Sequence, residues 1–442
     1  MDKEDVLSVI KEHEVKFVRL WFTDLAGNLK GFMVPEDEME KGFEAGFGFD
    51  GSSIEGFSRI QESDMLAIPD PKTFKILPWD NGEDVAPVGM IFCDIHDHEG
   101  NPYDIDPRHI LKKSLRKAEE MGFDEYYVGP EMEFFYFESP TDTRVIDHGG
   151  YFDLTALNLP NNLRKETIET LQRMDIDVPY SHHEVAPSQH EINLQHRPAL
   201  DMADISIIYR YVVKEVANRN GVYATFMPKP IEDENGSGMH CHLSLFRDGK
   251  NAFFEEGNDF HLSETGRQFI AGILEHAREI TAVTNQWPNS YKRLVPGYEA
   301  PVYLSWGQHN RSALVRIPTN RQGEEHATRM ELRSPDPAAN PYLCFAVMLR
   351  AGLKGIEENY QLDPPSTDNI YEMGPYERQE AGIESLPGSL GEAVYHFENS
   401  ELMKETFGKD AFQNYVREKR YVWDQYRQHV SQYELEEYLP VL

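Results

Sequence analysis

The chain has 442 residues, 40% of them hydrophobic, with 76 acidic against 43 basic side chains and a net charge of -33. That length exceeds one ordinary core and predicts two domains, which the apolar content is ample to build. So large a negative charge repels a phosphate backbone or an anionic lipid surface, which excludes nucleic acid and membrane as expected partners.

Residues 2–14 predict a short amphipathic helix with Val6, Val9 and Ile10 on one face, and their mixed charges lack the apolar core of a signal peptide. KFVRLWFTD, a turn at LAGN and LKGFMVP predict a β-hairpin, followed by a helix through PEDEMEKGFEAG. GFDGSSIEGFSRIQESDM (48–65) predicts a loop in which Asp50 opens a tight Asx-type turn. TFKILPW and APVGMIFCDI predict two more strands, so the first hundred residues read as a small sheet crossed by a helix. DHEGNPYDID (97–106) predicts a linker, because Asp106 and Pro107 suit the N-cap and first turn of a new helix. The domains are placed at 1–103 and 104–442.

Beyond the linker, helices expected near 161–174, 201–218 and 262–284 alternate with strands and predict a mixed sheet backed by helices. From Ala338 to about Tyr426 the pattern is mostly helical, interrupted by a loop at LDPPSTDN. YLCFAVML (342–349) is strongly apolar but too short to span a bilayer. Cys93, Cys241 and Cys344 are scattered, which suits a reducing cytoplasm and no structural zinc site.

Three expected strands place potent side chains two residues apart: Glu131 and Glu133 in GPEMEFFYF, His240 and His242 in NGSGMHCHLS, Glu331 and Arg333 in RMELRSPDP. In a strand, such pairs share a face. In SHHEVAPSQHEI, the turn-like APSQ can fold Glu184 and Glu191 toward each other. Five glutamates and one histidine are too much charge for a sheet interior unless cations neutralise it. Hard oxygens with a single imidazole suit Mg2+ or Mn2+, and six ligands can serve two ions in a phosphoryl-transfer site. One such pair alone fits a wet strand face equally well; three pairs beside apolar neighbours favour cations.

From Lys292 to Arg333, seven basic residues stand against four acidic ones, a local balance of +3, and six of the seven are arginines. Guanidinium forks grip phosphate and carboxylate bidentately, although pairing with the chain's own surplus acids is the plainer alternative. NGSG lets backbone approach a ligand, and NSYKRLVPGYEAPVYLSW (289–306) reads as a long loop fit to act as a lid.

In order along the chain, FDGSS, GPExEFF, HHEVAPxQHEI, KPx(5)NGSGMHCHxS, NSYKRLVPGYEAP, NRSAxxRIP and RMExRxPDPAANPYL resemble class I glutamine synthetases over about residues 15–440. The resemblance is to a short subclass without adenylylation, of archaeal type. It implies an α+β fold, a small β-grasp-like N-terminal domain joined to a larger catalytic domain of mixed sheet and helices. It also implies a cytoplasmic homo-oligomer, a dodecamer of two hexameric rings. Active sites would lie between subunits, with Asp50 from one chain and the metal ligands from the next. The reaction implied is ATP-dependent ligation of ammonium to glutamate through γ-glutamyl phosphate, with Mg2+ or Mn2+, two or more per site.

Position by position, the resemblance gives Glu133, Glu184 and Glu191 to the cation near glutamate and ammonium. Glu131, His240 and Glu331 go to the cation on the ATP phosphates. Asn235, Gly236, His240, Arg293 and Arg333 match substrate contacts; His242, Ser244, Arg311, Arg316 and Arg329 match nucleotide and phosphate contacts, Arg311 also counting as catalytic. Asp50 matches the base that turns ammonium into ammonia, and Glu299 the lid residue that closes the site. Pro179 and His196 depart from the usual nucleotide contacts. Tyr371 lacks the basic flanks of an adenylylation site; Arg59 suits glutamine feedback; Asp80 opposes activation by 2-oxoglutarate. The tail EYLPVL is expected to dock on the opposite ring, and a nitrogen-regulatory protein is a further candidate partner. The competing readings are a ligase for a polyamine or other amine, a catalytically silent relative, and a two-metal hydrolase.

Overall fold

The computed structural model describes residues 1–51, 64–79, 86–154, 158–297, 300–308, 310, 312–319, 325–366, 370–380 and 382–442. The expectations for Arg59, Asp80, Glu299 and Arg311 lie outside these residues.

Helix α1 (Lys3–Glu12) starts at Asp2, whose carboxylate accepts from the Asp5 amide while Asp5 accepts from the Asp2 amide. This reciprocal cap satisfies two donors that a helix start leaves free, and Val6 and Ile10 are buried as the spacing predicts. Strands β1 (Phe17–Thr23) and β2 (Leu29–Pro35) form the predicted hairpin, with Thr23 opposite Leu29. Its turn needs glycine: Gly27 has φ +83°, and a Cβ there would sit 2.8 Å from the Asn340 Cα. Helix α2 (Met39–Ala45) crosses the sheet. The expected loop at 48–65 is instead bounded by two paired strands, β3 (Phe47–Asp50) and β4 (Asp64–Pro69), with Asp50 opposite Asp64. TFKILPW supplies only β5 (Lys75–Ile76), because Asp70 accepts from the Lys72 amide and starts a 3-10 turn at Pro71–Thr73. With β6 (Val88–Asp97), the sheet runs β2-β1-β6-β4-β3, with β5 beside β6 and only β1 and β6 parallel.

Asp106 caps α3 (Pro107–Glu120) as predicted, accepting from the Arg108 amide at 3.0 Å. Arg108 then ties the two parts of the chain together. Its buried guanidinium donates to Asp70 at 2.7 Å, to Asp94 at 2.5 Å and to both Asp204 oxygens at 3.1 and 3.0 Å. Removing the cation while three carboxylates remain is the costly way to break a buried ion cluster. Arg108→Met is expected to lose about 3–5 kcal/mol of unfolding free energy in urea, whereas a loss under about 1 kcal/mol would mean that water already screens the cluster.

The second sheet is built on β7 (Glu125–Phe137). Around it come α4 (Asn158–Gln172), the hairpin β8 (Tyr180–His183) and β9 (Gln189–Asn193), β10 (Arg197–Pro198), α5 (Ala199–Arg219) and β11 (Tyr223–Thr225). Then follow β12 (Met239–Arg247), β13 (Lys250–Asn251), β14 (Tyr303–Gly307), β15 (Ala313–Arg316) and β16 (Met330–Leu332). The order is β14-β15-β16-β12-β7-β9-β8, with β10 and β11 on β7 and β13 on β12.

The helix expected at 262–284 is two, α6 (Glu264–Glu275) and α7 (Ala277–Thr284), because His276 between them has ψ 7°. The lid loop carries a single turn, α8 (Ser290–Arg293). YLCFAVML lies in α9 (Pro341–Glu357) and is buried along its length. The remaining helices are α10 (Pro375–Glu380), α11 (Leu390–Glu398), α12 (Glu401–Phe407), α13 (Lys409–Arg427) and α14 (Gln432–Tyr438). The helical run from Ala338 is broken after Glu357, and the loop expected at LDPPSTDN is found there, with Pro364 and Pro365 outside any helix or strand. Helix α14 is an addition to the sequence reading, and the tail beyond it leaves Leu439, Val441 and Leu442 exposed. Among the described residues, no helix is long and apolar enough to cross a membrane.

Candidate active site

Strand alternation decides which side chains meet. On β7, Tyr126, Val128, Met132, Phe134 and Tyr136 enter the core, which puts Glu131 and Glu133 on the other face. On β12, Met239, Cys241 and Leu243 are buried, which puts His240, His242 and Ser244 on that same open face. The ladders then align the pairs: His240 opposite Glu131, His242 opposite Glu331, Glu133 opposite Glu191, and Arg316 opposite Glu331. A cleft of about 320 Å³ results, lined by all six expected ligands, Glu131, Glu133, Glu184, Glu191, His240 and Glu331. Asn235, Gly236, Arg293, Arg316 and Arg333 line it too.

The cleft has two chemically different halves. In the first, His242 Nε2 lies 3.0 Å from Glu131, and His240 Nδ1 lies 3.6 Å from Glu131 and 3.4 Å from Glu331. Arg316 pairs closely with Glu331, and Arg333 approaches it at 3.5 Å. Burial works to raise Glu131 and Glu331, but the two imidazoles, joined at Glu331 by the two arginines, outweigh it and hold both below the ordinary carboxylate range. Ligand atoms of Glu131, His242 and Glu331 lie within 4.8 Å of one another, so both histidines face this carboxylate pair. Arg329 Nε donates to His242 Nδ1 at 3.3 Å.

In the second half the carboxylates outweigh the nearby positive charge, although Arg293 works to lower Glu133. Burial, then repulsion from Glu184, pushes Glu133 well above the ordinary range; burial, then Glu131, Glu133 and Glu184, does the same to Glu191. Only neutral donors serve Glu133, from the Gly238 amide at 3.0 Å and Gln189 Nε2 at 2.9 Å. His182 Nε2 lies 2.7 Å from Glu184, while His182 Nδ1 is buried without a hydrogen-bond partner, 4.0 Å from Glu191. Carboxylates that can ionise together only against added positive charge, beside an orphaned ring nitrogen, fit a hard divalent cation. Such an ion would displace protons as it bound.

Arg293 stands at the cleft, but its guanidinium donates to the carbonyls of Arg333, Ser334 and Pro335 at 3.1, 2.7 and 3.2 Å. The glycines of NGSG serve this arginine: a Cβ on Gly238 would stand 2.5 Å from its NH2, and one on Gly236 3.1 Å from its Cγ. The close approach expected of a ligand is made here by a side chain. Ser244 and Arg329 are outside the cleft lining, His242 stands just behind it against Glu131, and Asp50 borders a separate hollow with Asp64 and His98.

The sequence reading missed His182, Gln189, Tyr151, Phe152 and Tyr180, all in the cleft wall. The signal for two of them was present: His182 is two residues before Glu184, and Gln189 two before Glu191. Phe152 had no such signal. It adopts φ +62° and stacks on His182 with centroids 4.4 Å apart and planes 11° from parallel. A much larger hollow of about 1470 Å³ lies between the β1–β2 turn, α5 and the C-terminal helices. Among the described residues, Glu232 is the one carboxylate in its wall, so volume alone does not mark the chemistry.

Residues 104–438 match the glutamine synthetase catalytic domain, and residues 14–98 its β-grasp domain. The chain is 50% identical to a glutamine synthetase of Mycolicibacterium smegmatis over 441 residues, covering 99% of each. It is 48% identical to a glutamine synthetase of Methanosarcina mazei over 445 residues, covering 100% of this chain and 98% of the other. A solved complex of GmaS with ADP superposes with a TM-score of 0.88 at 33% identity, covering 99% of both chains. A cleft of carboxylates and imidazoles built by strand register, and full-length likeness on both domains, lead to one conclusion: the chain belongs to the glutamine synthetase family and is an enzyme that ligates ammonium to glutamate with ATP.

Proposed function

We propose that Glu133, Glu184 and Glu191 hold one divalent cation, Mg2+ or Mn2+, and that Glu131, His240 and Glu331 hold a second beside the ATP phosphates. The observation that carries this reading is the opposition of Glu133 to Glu191 and of His240 to Glu131 in adjacent ladders. When bound, such cations draw negative charge from the phosphate oxygens and leave the γ-phosphorus open to attack.

The chain's own groups do the rest. Arg316 and Arg333, oriented by Glu331, face the transferring phosphoryl group as the glutamate γ-carboxylate attacks it. Arg293 braces the 333–335 backbone so that Arg333 keeps its aim. Asn235 and Gly236 receive the amino end of glutamate; Ser244, His242, Arg311 and Arg329 attend the nucleotide. Asp50 of a neighbouring subunit takes a proton from ammonium, and Glu299 closes a lid that keeps water from the acyl phosphate. The assembly is a dodecamer of two rings, held in a reducing cytoplasm where the three buried cysteines stay free. The domains divide at 103/104, just before the Asp106 cap.

The assay is phosphate release from ATP by the purified enzyme, which should require glutamate and ammonium together. Release without glutamate would favour a hydrolase, and faster turnover with methylamine or putrescine than with ammonium would favour a different amine ligase.

A further inference from the structure

We propose that Asp147 is a positioning residue for the Glu184 and Glu191 half of the cleft, acting through His183 from behind the hairpin. While His182 and Glu191 face the cleft, the alternate residues His183 and His190 point to the back of β8 and β9, opposite each other in the ladder, with ring centroids 4.6 Å apart. Asp147, 1% exposed, lies against both: Oδ1 is 2.6 Å from His183 Nε2, and Oδ2 is 3.3 Å from His190 Nε2. The remaining His183 nitrogen, Nδ1, is 2.7 Å from the Glu184 carbonyl oxygen. Carboxylate and carbonyl are both acceptors, and the His183 ring spans the two. His190 differs. Its Nδ1 is 2.6 Å from Arg164 NH1, which can only donate, so its proton sits on Nε2, toward Asp147.

The same proton inventory excludes a cation at this spot. Ligand atoms of Asp147, His183 and His190 do lie within 4.8 Å of one another, as a metal site would demand. A ligating His190 would need a lone pair on each nitrogen, one for the ion and one for Arg164. A neutral imidazole has one. Asp147 and His183 are the hydrogen-bonded pair of the cluster, while His190 Nε2 and Asp147 Oδ2 stand 3.3 Å apart without a hydrogen bond.

Its consequence lies on the front of the hairpin. His183 fixes the Glu184 carbonyl, and the Glu184 amide donates to the Gln189 carbonyl at 2.8 Å to close the turn. At the other end Ser188, with φ +59°, accepts from the Ile146 and Asp147 amides at 2.7 and 3.1 Å, and its own amide donates to Asp147 Oδ1 at 3.3 Å. Both ends of the turn are tied to one carboxylate, which sets the separation at which Glu184 and Glu191 are presented. Groups that orient a metal ligand from behind typically change metal affinity by about 10–100-fold.

This inference rests on the assignment of Glu184 and Glu191 to one cation. The test is Mn2+ titration of the full-length enzyme without nucleotide, followed by calorimetry and electron paramagnetic resonance. Asp147→Asn should weaken one class of Mn2+ site by about 10–100-fold and leave the other class and the circular dichroism unchanged. His183→Gln, which cannot span both acceptors, should do the same. A folded Asp147→Asn enzyme that binds Mn2+ like the wild type overturns the proposal. So does failure of both variants to fold at saturating Mn2+, which would make the network a folding element. Glu191→Gln separates the two possible failures: if it spares both classes, the cation assignment falls; if it removes a class that Asp147→Asn does not touch, only the positioning role falls.

Discussion

Glu331→Gln is expected to lower kcat by at least about 10²–10³-fold while the chain still folds, because one carboxylate serves two arginines, an imidazole and a proposed cation site at once. Glu331 is 1% exposed, pairs with Arg316, and lies 3.5 Å from Arg333 and 3.4 Å from His240 Nδ1. The amide keeps the shape and removes the charge. Arg316 and Arg333 then face each other across a neutral group, and the proposed phosphate-side cation site loses its most buried carboxylate. The loss should show in kcat and in the apparent affinity for ATP together, since ground state and transition state both use this half of the cleft. Binding of Mn2+ to the Glu184 and Glu191 half should persist. A kcat within about tenfold of the wild type would remove Glu331 from the phosphate side.

The second large effect is at Asp50. If its carboxylate is the base that yields ammonia, Asp50→Ala should lose about 10²–10⁴ in turnover at saturating ammonium. Formation of acyl phosphate, measured as glutamate-dependent ADP production, should suffer much less, because that step precedes ammonia. Near-normal turnover would end the assignment. Asp50 ends β3 at the edge of the N-terminal sheet, and no residue of that sheet lines the cleft of its own chain among the described residues. The proposed role of Asp50 therefore requires a neighbouring subunit to bring it. Co-expressing Asp50→Ala and Glu331→Gln chains tests this directly, because a shared site can combine one good half from each. Random mixing in a ring should restore roughly a quarter of wild-type activity per subunit, whereas a site complete within one chain would restore none.

Much of the candidate site was legible because strands have a period of two. GPEMEFFYF fixes that Glu131 and Glu133 share a face, and the apolar residues between and around them fix that the other face is buried. The same rule, applied to HHE and QHE, would have added His182 and Gln189. It could not have found Phe152, whose position depends on a backbone conformation that side chains of its type rarely adopt. Nor could it have found the Asp147 cluster, because Asp147 lies outside the hairpin it braces. Local signals also set the element ends well where a cap was written in the chain, as at Asp106 and Asp2. They failed where a helix pattern continued through a residue that the packing bends, as at His276.

By itself the sequence determined the ligand chemistry, the faces of the strands, the hairpins and the family, since each depends on residue type and short spacing. Only the tertiary structure decided which faces meet. The pairing of Glu133 with Glu191 and of His240 with Glu131 is a matter of register between strands whose paired residues are 58 and 109 positions apart along the chain. Register is set by how the buried faces of β7, β9 and β12 pack on α5 and the core, and a slip of one residue would turn every ligand away from the cleft. That is why two halves of one cleft, one in which imidazoles and arginines offset the carboxylates and one in which burial and mutual repulsion prevail, appear only when the chain is folded.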